Sequence, residues 1–197
     1  MAVAAPHTFP LQQGCGWTFL HGAWHDDPAG GFGPPDDTRV EHLAVRQVEA
    51  VGDFTARFRF RLRHITPVRF LFRLQDSRRF YALDIPFGGQ QFRSRACWAG
   101  LVLADGTPLQ RYLSFNLVPG LAANTVLWYD VRVQAEGPRL RAWINDIPVA
   151  DVADDTYRSG RFGLGALQTP YIEAPRFADL EVTGALLPAP AWPGLQP

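Results

Sequence analysis

The residue types able to do chemistry fall into four groups in this sequence. His21, His25, Asp26 and Asp27 form the run HGAWHDD. On a strand, positions i and i+4 share a face, so His21 and His25 could meet one metal ion. Gly22 and the loop that follows argue instead for solvated loop residues. Asp179 and Glu181 alternate on one strand face. Asp84 stands alone in an otherwise apolar run, Phe80 to Ile85, and is the strongest single candidate for a catalytic carboxylate. Its plainer role is an ion pair with a neighbouring arginine. A glycosidase needs two carboxyl groups flanking the scissile bond, and here they would have to come from separate strands. Trp128 and Trp143 lie in segments that also carry Arg132 and Arg141. Aromatic rings stack on the apolar faces of sugars, and guanidinium groups bridge hydroxyls or carboxylates. The competing reading is that a loop covers both tryptophans as a secondary core.

The elements that position these groups are strands. In Trp128 to Val149, Tyr129, Val131 and Val133 alternate with Asp130, Arg132 and Gln134. After a turn at Glu136-Gly137-Pro138, Leu140, Ala142 and Ile144 alternate with Arg141, Trp143 and Asn145. Period-two alternation buries one face of each strand and leaves the other to solvent. Asn145-Asp146 suits a tight hairpin turn, because both types tolerate the left-handed conformation. The clearest strand is Phe54 to Arg63, with Phe54, Ala56, Phe58, Phe60 and Leu62 on one face and Thr55, Arg57, Arg59, Arg61 and Arg63 on the other. Val68, Phe70, Phe72 and Leu74 oppose Arg69, Leu71 and Arg73 in the next. Phe80 to Ile85 is apolar on both faces apart from Asp84, as expected of a central strand. Further strands are expected at His42 to Val48, Gln91 to Trp98, Leu101 to Leu103, Leu109 to Leu117, Arg161 to Leu167 and Ile172 to Val182. Residues 26 to 38 form a long turn-rich loop. No helical period runs through any long window, so the expected fold class is all-β, an antiparallel two-sheet sandwich.

The chain has 197 residues, enough for one large β domain. Residues 1–14 are expected to be an irregular arm, 15–184 the sandwich, and 185–197 a Pro-rich arm or linker stub. Formal net charge is zero, which gives no reason to expect nucleic acid or an anionic membrane as partner. Every basic side chain other than the five histidines is arginine. Strand positions hold many of these arginines and loops hold most of the acids. The expectation is a basic strip containing Trp128, Trp143, Arg132, Arg141, Arg59 and Arg61 as ligand-binding residues, suited to an anionic polysaccharide. Local pairing with Asp53, Asp84, Asp130 and Glu181 would neutralise it. Cys15 and Cys97 match no zinc or redox spacing; they form one disulfide or remain two thiols. The N-terminus lacks the charged and apolar regions of a signal peptide. An extracellular or periplasmic setting is expected if the chain belongs to a longer secreted protein.

The order of these segments resembles the concanavalin A-like lectin and glucanase superfamily, within it the laminin-G-like and 3-keto-disaccharide hydrolase types. The resemblance is carried by Phe54 to Leu62; by Phe70-Leu71-Phe72-Arg73 with Asp76, Phe80, Tyr81 and Leu83; and by Trp128-Tyr129, Arg132-Val133, Gly137, Leu140 and Trp143 to Val149. Gly160 to Leu164 and Phe177 to Val182 extend it. It implies a jelly roll of two curved sheets. Laminarinase-type members place Glu, Asp and Glu at alternate strand positions, and no strand here has three such carboxylates. The functions it implies are, first, glycan recognition without strong catalytic residues; second, hydrolysis of glycosides or 3-keto-glycosides; third, a structural or assembly role. It also admits a structural calcium, for which Asp179 with loop carbonyls is a suitable oxygen set.

Overall fold

The computed structural model describes residues 5–12, 15–20, 24–27, 30–34, 41–47, 49–61, 67–85, 97–121, 127–167 and 174–189. Sixteen strands run through them, and no helix is found among the described residues. In chain order they are β1 (Pro6–Thr8), β2 (Trp17–Leu20), β3 (His25–Asp26), β4 (Phe32–Gly33), β5 (Glu41–Arg46), β6 (Glu49–Arg61), β7 (Val68–Asp76) and β8 (Arg79–Ile85). Then follow β9 (Cys97–Asp105), β10 (Arg111–Tyr112), β11 (Asn116–Val118), β12 (Trp128–Glu136), β13 (Arg139–Ile144), β14 (Ile147–Ala153), β15 (Arg161–Leu167) and β16 (Arg176–Pro188). The first sheet has the order β14-β13-β12-β6-β16-β4-β3, with β1 also paired to β16. The second has the order β10-β9-β8-β7-β15-β5-β2, with β11 also paired to β9. Every pairing is antiparallel.

The core lies between the sheets, where the alternation placed it. Phe58, Phe60, Tyr129, Val131, Val133 and Ile144 of the first sheet meet Phe70 and Phe72 of the second, and all eight belong to one buried cluster. Phe58 stacks on Phe70 across the interface with centroids 5.1 Å apart. The Asn145-Asp146 turn has φ of 48° and 60° at its two residues, as a two-residue hairpin linking twisted strands requires.

Several local expectations change. Pro6–Thr8, inside the arm expected to be irregular, adds a strand to β16. The long loop after Trp24 contains the β3–β4 ribbon, closed by hydrogen bonds between Asp27 and residues 30 and 31. Residues 97–105 form one strand through Gly100 rather than two. Leu74 does not join Phe72 on the core face. Arg73 has φ of 46° and the β7–β8 register shifts there, so Leu74 packs with Leu71, Phe80 and Ala82 on the other side of the second sheet. Cys15 and Cys97 are not joined in a disulfide.

Candidate functional site

The outer face of the first sheet carries the residues expected to bind ligand. β6 and β12 run in register, so Trp128 opposes Arg61, Asp130 opposes Arg59 and Arg132 opposes Arg57. On the far side of β12, Arg132 opposes Trp143 and Gln134 opposes Arg141. The Arg59 and Arg61 guanidinium carbons lie 5.3 and 5.1 Å from the Trp128 ring centroid. Those of Arg132 and Arg141 lie 4.1 and 5.9 Å from that of Trp143. Both half-buried indoles therefore already engage cations through their π-systems, rather than standing open as stacking platforms.

The expected basic strip is also interrupted. Arg59 pairs with Asp179, Arg61 with Asp27 at 3.3 Å, and Arg141 with Glu136 at 2.5 Å. A depression of about 380 Å³ on this face is lined by three arginines (Arg57, Arg59, Arg132), by Trp143 and by four carboxylates (Asp130, Asp146, Asp179, Glu181). With four acids against three bases, a uniformly positive surface is not what the sheet presents. Asp146 reaches this face through the β13–β14 turn, and Asp179 through the bulge in β16, where its φ is 53°.

Asp84 faces outward from the second sheet and is 3% exposed. The β7–β8 register sets Arg69 directly opposite, and Arg69 reaches both carboxylate oxygens at 3.2 and 3.3 Å. That is the ion pair expected for it, yet Asp84 has more company than the sequence suggested. The Tyr112 hydroxyl donates to its Oδ2 at 3.0 Å, and Arg69 also donates to Gln110 Oε1 at 3.1 Å. Burial together with the adjacent Asp84 charge pushes the Tyr112 phenol up to about 12.

Beyond Tyr112 lies a surface that sequence reading missed. The Tyr112 and Phe115 ring centroids are 4.7 Å apart, and Phe115 stacks on Trp98 at 5.2 Å with 12° between ring planes. Trp98, Tyr112 and Phe115 are 42%, 44% and 44% exposed, and Leu117, opposite Trp98 on β11, is 48% exposed. Isolated exposed apolar residues are ordinary, but a chain of three aromatic rings in successive contact beside a buried charge cluster is not. Gly100 makes this arrangement possible. A Cβ at that position would come within 2.0 Å of the Ser114 carbonyl oxygen, so only glycine lets the segment carrying Phe115 lie against β9. The cue in the sequence was Trp98 between Cys97 and Ala99: both neighbours enter the core, which turns the indole outward.

Among the described residues the remaining candidates form no metal centre. His25 is exposed on β3, and His21 lies outside the described residues. No group of three or more His, Cys, Asp or Glu side chains able to hold a metal occurs among the described residues. Asp179, considered for calcium, is committed to Arg59. Among the described residues, the side chains hydrogen-bonded within the Asp84 cluster are Arg69, Tyr112 and Gln110. None of these is a second carboxylate of the kind glycoside hydrolysis uses.

No protein-family model matches the chain, and no curated protein matches it in sequence. Solved structures do match its fold. The carbohydrate-binding module CBM66 from Bacillus subtilis superposes with a TM-score of 0.65 at 18% identity, covering 86% of this chain and 96% of that one. The Emp47p carbohydrate recognition domain gives 0.70 at 12% identity over 90% and 95% of the two chains. The exoplasmic/lumenal domain of VIP36, in a Ca2+/Man3GlcNAc-bound form, gives 0.70 at 13% identity over 92% and 89%. Taken with the two antiparallel sheets and their shared core, these likenesses show that the chain has the concanavalin A-like jelly-roll fold.

Proposed function

We propose that this domain binds a glycan on the outer face of the second sheet. The observation that carries the reading is the contact chain from Trp98 through Phe115 to Tyr112, ending on the Asp84–Arg69–Gln110 cluster. Aromatic faces receive the C–H surface of a sugar ring, while the exposed Gln110 amide and Tyr112 hydroxyl, held in place by the buried Asp84–Arg69 pair, receive its hydroxyls. A buried, internally compensated charge pair is held in place before the ligand arrives, so little ordering is left for binding to overcome. Asp84 and Arg69 cancel in charge, which favours a neutral sugar at this face over an acidic one. Structural neighbours named as carbohydrate-binding modules and recognition domains support the class of ligand. Calcium is left out of the proposal, because Asp179 is held by Arg59 and no metal-holding cluster occurs among the described residues.

A neutral glycan array followed by calorimetry tests this reading. Loss of Trp98 should weaken binding roughly tenfold, the equivalent of one stacking contact of about 1.4 kcal/mol. Asp84→Asn should weaken it at least as much. Wild-type affinity in both variants would rule out this face, and release of free sugar from the bound glycan would move the reading to hydrolysis.

A further inference from the structure

The pairing of the arginines leaves a pattern on the opposite sheet. On β6, β12 and β13, Arg59, Arg61, Arg139 and Arg141 each have a carboxylate partner. Arg57 and Arg132 have neither an ion pair nor a side-chain hydrogen bond among the described residues, and the Nε of Arg132 is buried without a partner. Glu181 stands opposite Arg57 across β6 and β16, while Arg57 and Arg132 stand directly opposite each other across β6 and β12. Like charges in that relation repel and cost stability. Trp143, on the other side of Arg132, holds its guanidinium 4.1 Å from the ring centroid. Both arginines line the depression of about 380 Å³, which meets a second hollow of about 290 Å³ at Arg57 and Glu181. Thr55 and Thr183 line that second hollow.

We propose that the Arg57–Arg132 pair is a second ligand site, separate from the aromatic face, that receives a single carboxylate of a sparsely charged acidic glycan. One anion between the two guanidinium groups would remove their mutual repulsion and accept the donors they leave unused. Thr55 and Thr183 offer hydroxyls to the neutral sugars of the same chain. Asp130, Asp146 and Glu181 border the pair. They set an upper limit on ligand charge, because a polysulfated chain would bring anions against those carboxylates. The identity of the ligand as a sugar rests on the glycan-binding reading above; the position of the site does not.

Ligand-observed NMR with methyl β-glucuronoside and methyl β-glucoside, which differ at the carboxylate, is the direct test. The expected result is binding of the glucuronoside by wild type and by Asp84→Asn, weakened at least tenfold in Arg132→Gln and weakened by salt, since exposed charge attraction is screened over about 8 Å at physiological ionic strength. Heparin should bind no better than the glucuronoside. Equal binding of the two methyl glycosides, no binding of the glucuronoside, or tighter binding of heparin would each overturn the proposal. So would loss of the glucuronoside in Asp84→Asn with retention in Arg132→Gln, which would assign it to the other sheet. Failure of neutral glycans to bind wild type, with the glucuronoside result intact, would reject the aromatic face and leave this site standing.

Discussion

Replacing Arg73 by Met tests the account of how the two sheets are joined at one end. The Arg73 side chain is 0% exposed. Its Nη1 donates to the carbonyls of Gly137 and Tyr157 at 2.9 and 3.0 Å, and its Nε to that of Gly52 at 3.3 Å. Its Nη2 reaches Asp53 at 3.2 Å, and the Asp53 side chain is 67% exposed. Met preserves the length of the chain and deletes the donors. Removing one partner of a fully buried ion pair costs about 3–5 kcal/mol, largely through the charge left behind. Here the carboxylate left behind is in water, so that part falls away. What remains is the loss of two well-formed bonds and one long bond from a cation to backbone carbonyls, at about 1.5–3 kcal/mol for each good one. Against this stands relief of the desolvation of the guanidinium, the main cause of the lowered pKa of Arg73. The net expectation is a loss of about 2–4 kcal/mol in urea unfolding, read as a lower midpoint at unchanged slope. Asp53→Asn, which keeps an acceptor for the Gly137 N–H that Asp53 Oδ1 now receives at 2.8 Å, should cost under about 1 kcal/mol. A loss below about 0.5 kcal/mol for Arg73→Met, or a larger loss for Asp53→Asn than for Arg73→Met, would refute the view that the carbonyls carry the interaction.

Phe72→Ala should cost about 3–5 kcal/mol in the same assay, because Phe72 is fully buried and packs on Phe54, Phe70 and Tyr81. Gly100→Ala should leave a folded sandwich while dislodging the Ser114–Phe115 segment; near-ultraviolet circular dichroism would lose aromatic signal as glycan affinity falls. Tyr112 should be absent from the phenols that ionise near pH 10 in an ultraviolet titration, since its pKa is pushed up to about 12. The sign follows from that direction: a neutral phenol retained by the folded state favours folding fully below pH 10, and the contribution is lost as pH rises from 10 toward 12. Tyr112→Phe should remove the highest-pH step of that titration, and an unchanged curve would show that Tyr112 ionises with the others.

The sandwich is legible in local patterning alone. Alternation in Phe54–Phe60 and Tyr129–Val133, closed by the Asn145-Asp146 turn, decides which side chains enter a core, because a period of two is a property of the extended backbone alone. It also turned Trp128, Trp143, Arg132 and Arg141 outward and marked Asp84 as the carboxylate that needs a partner; that Arg57 shares their face follows from the β6–β12 register. Tertiary structure decided what each outward side chain meets, since that depends on register between strands far apart in the chain. Asp27 is gripped by Arg61 and Arg176, 34 and 149 residues away, an association no local pattern encodes. Gln110 reaches Arg69 across 41 residues, and Tyr112 reaches Asp84 across 28, because β10 pairs with the strand beside β8. Arg73 reads as one more outward arginine until the left-handed turn of its own backbone sends it into the interior. Alternation holds only while the ladder is regular, and a single bulge reverses it. The same dependence on folding hid the Trp98–Phe115–Tyr112 surface, because period-two patterning shows that a ring points outward but not whether another strand lies over it.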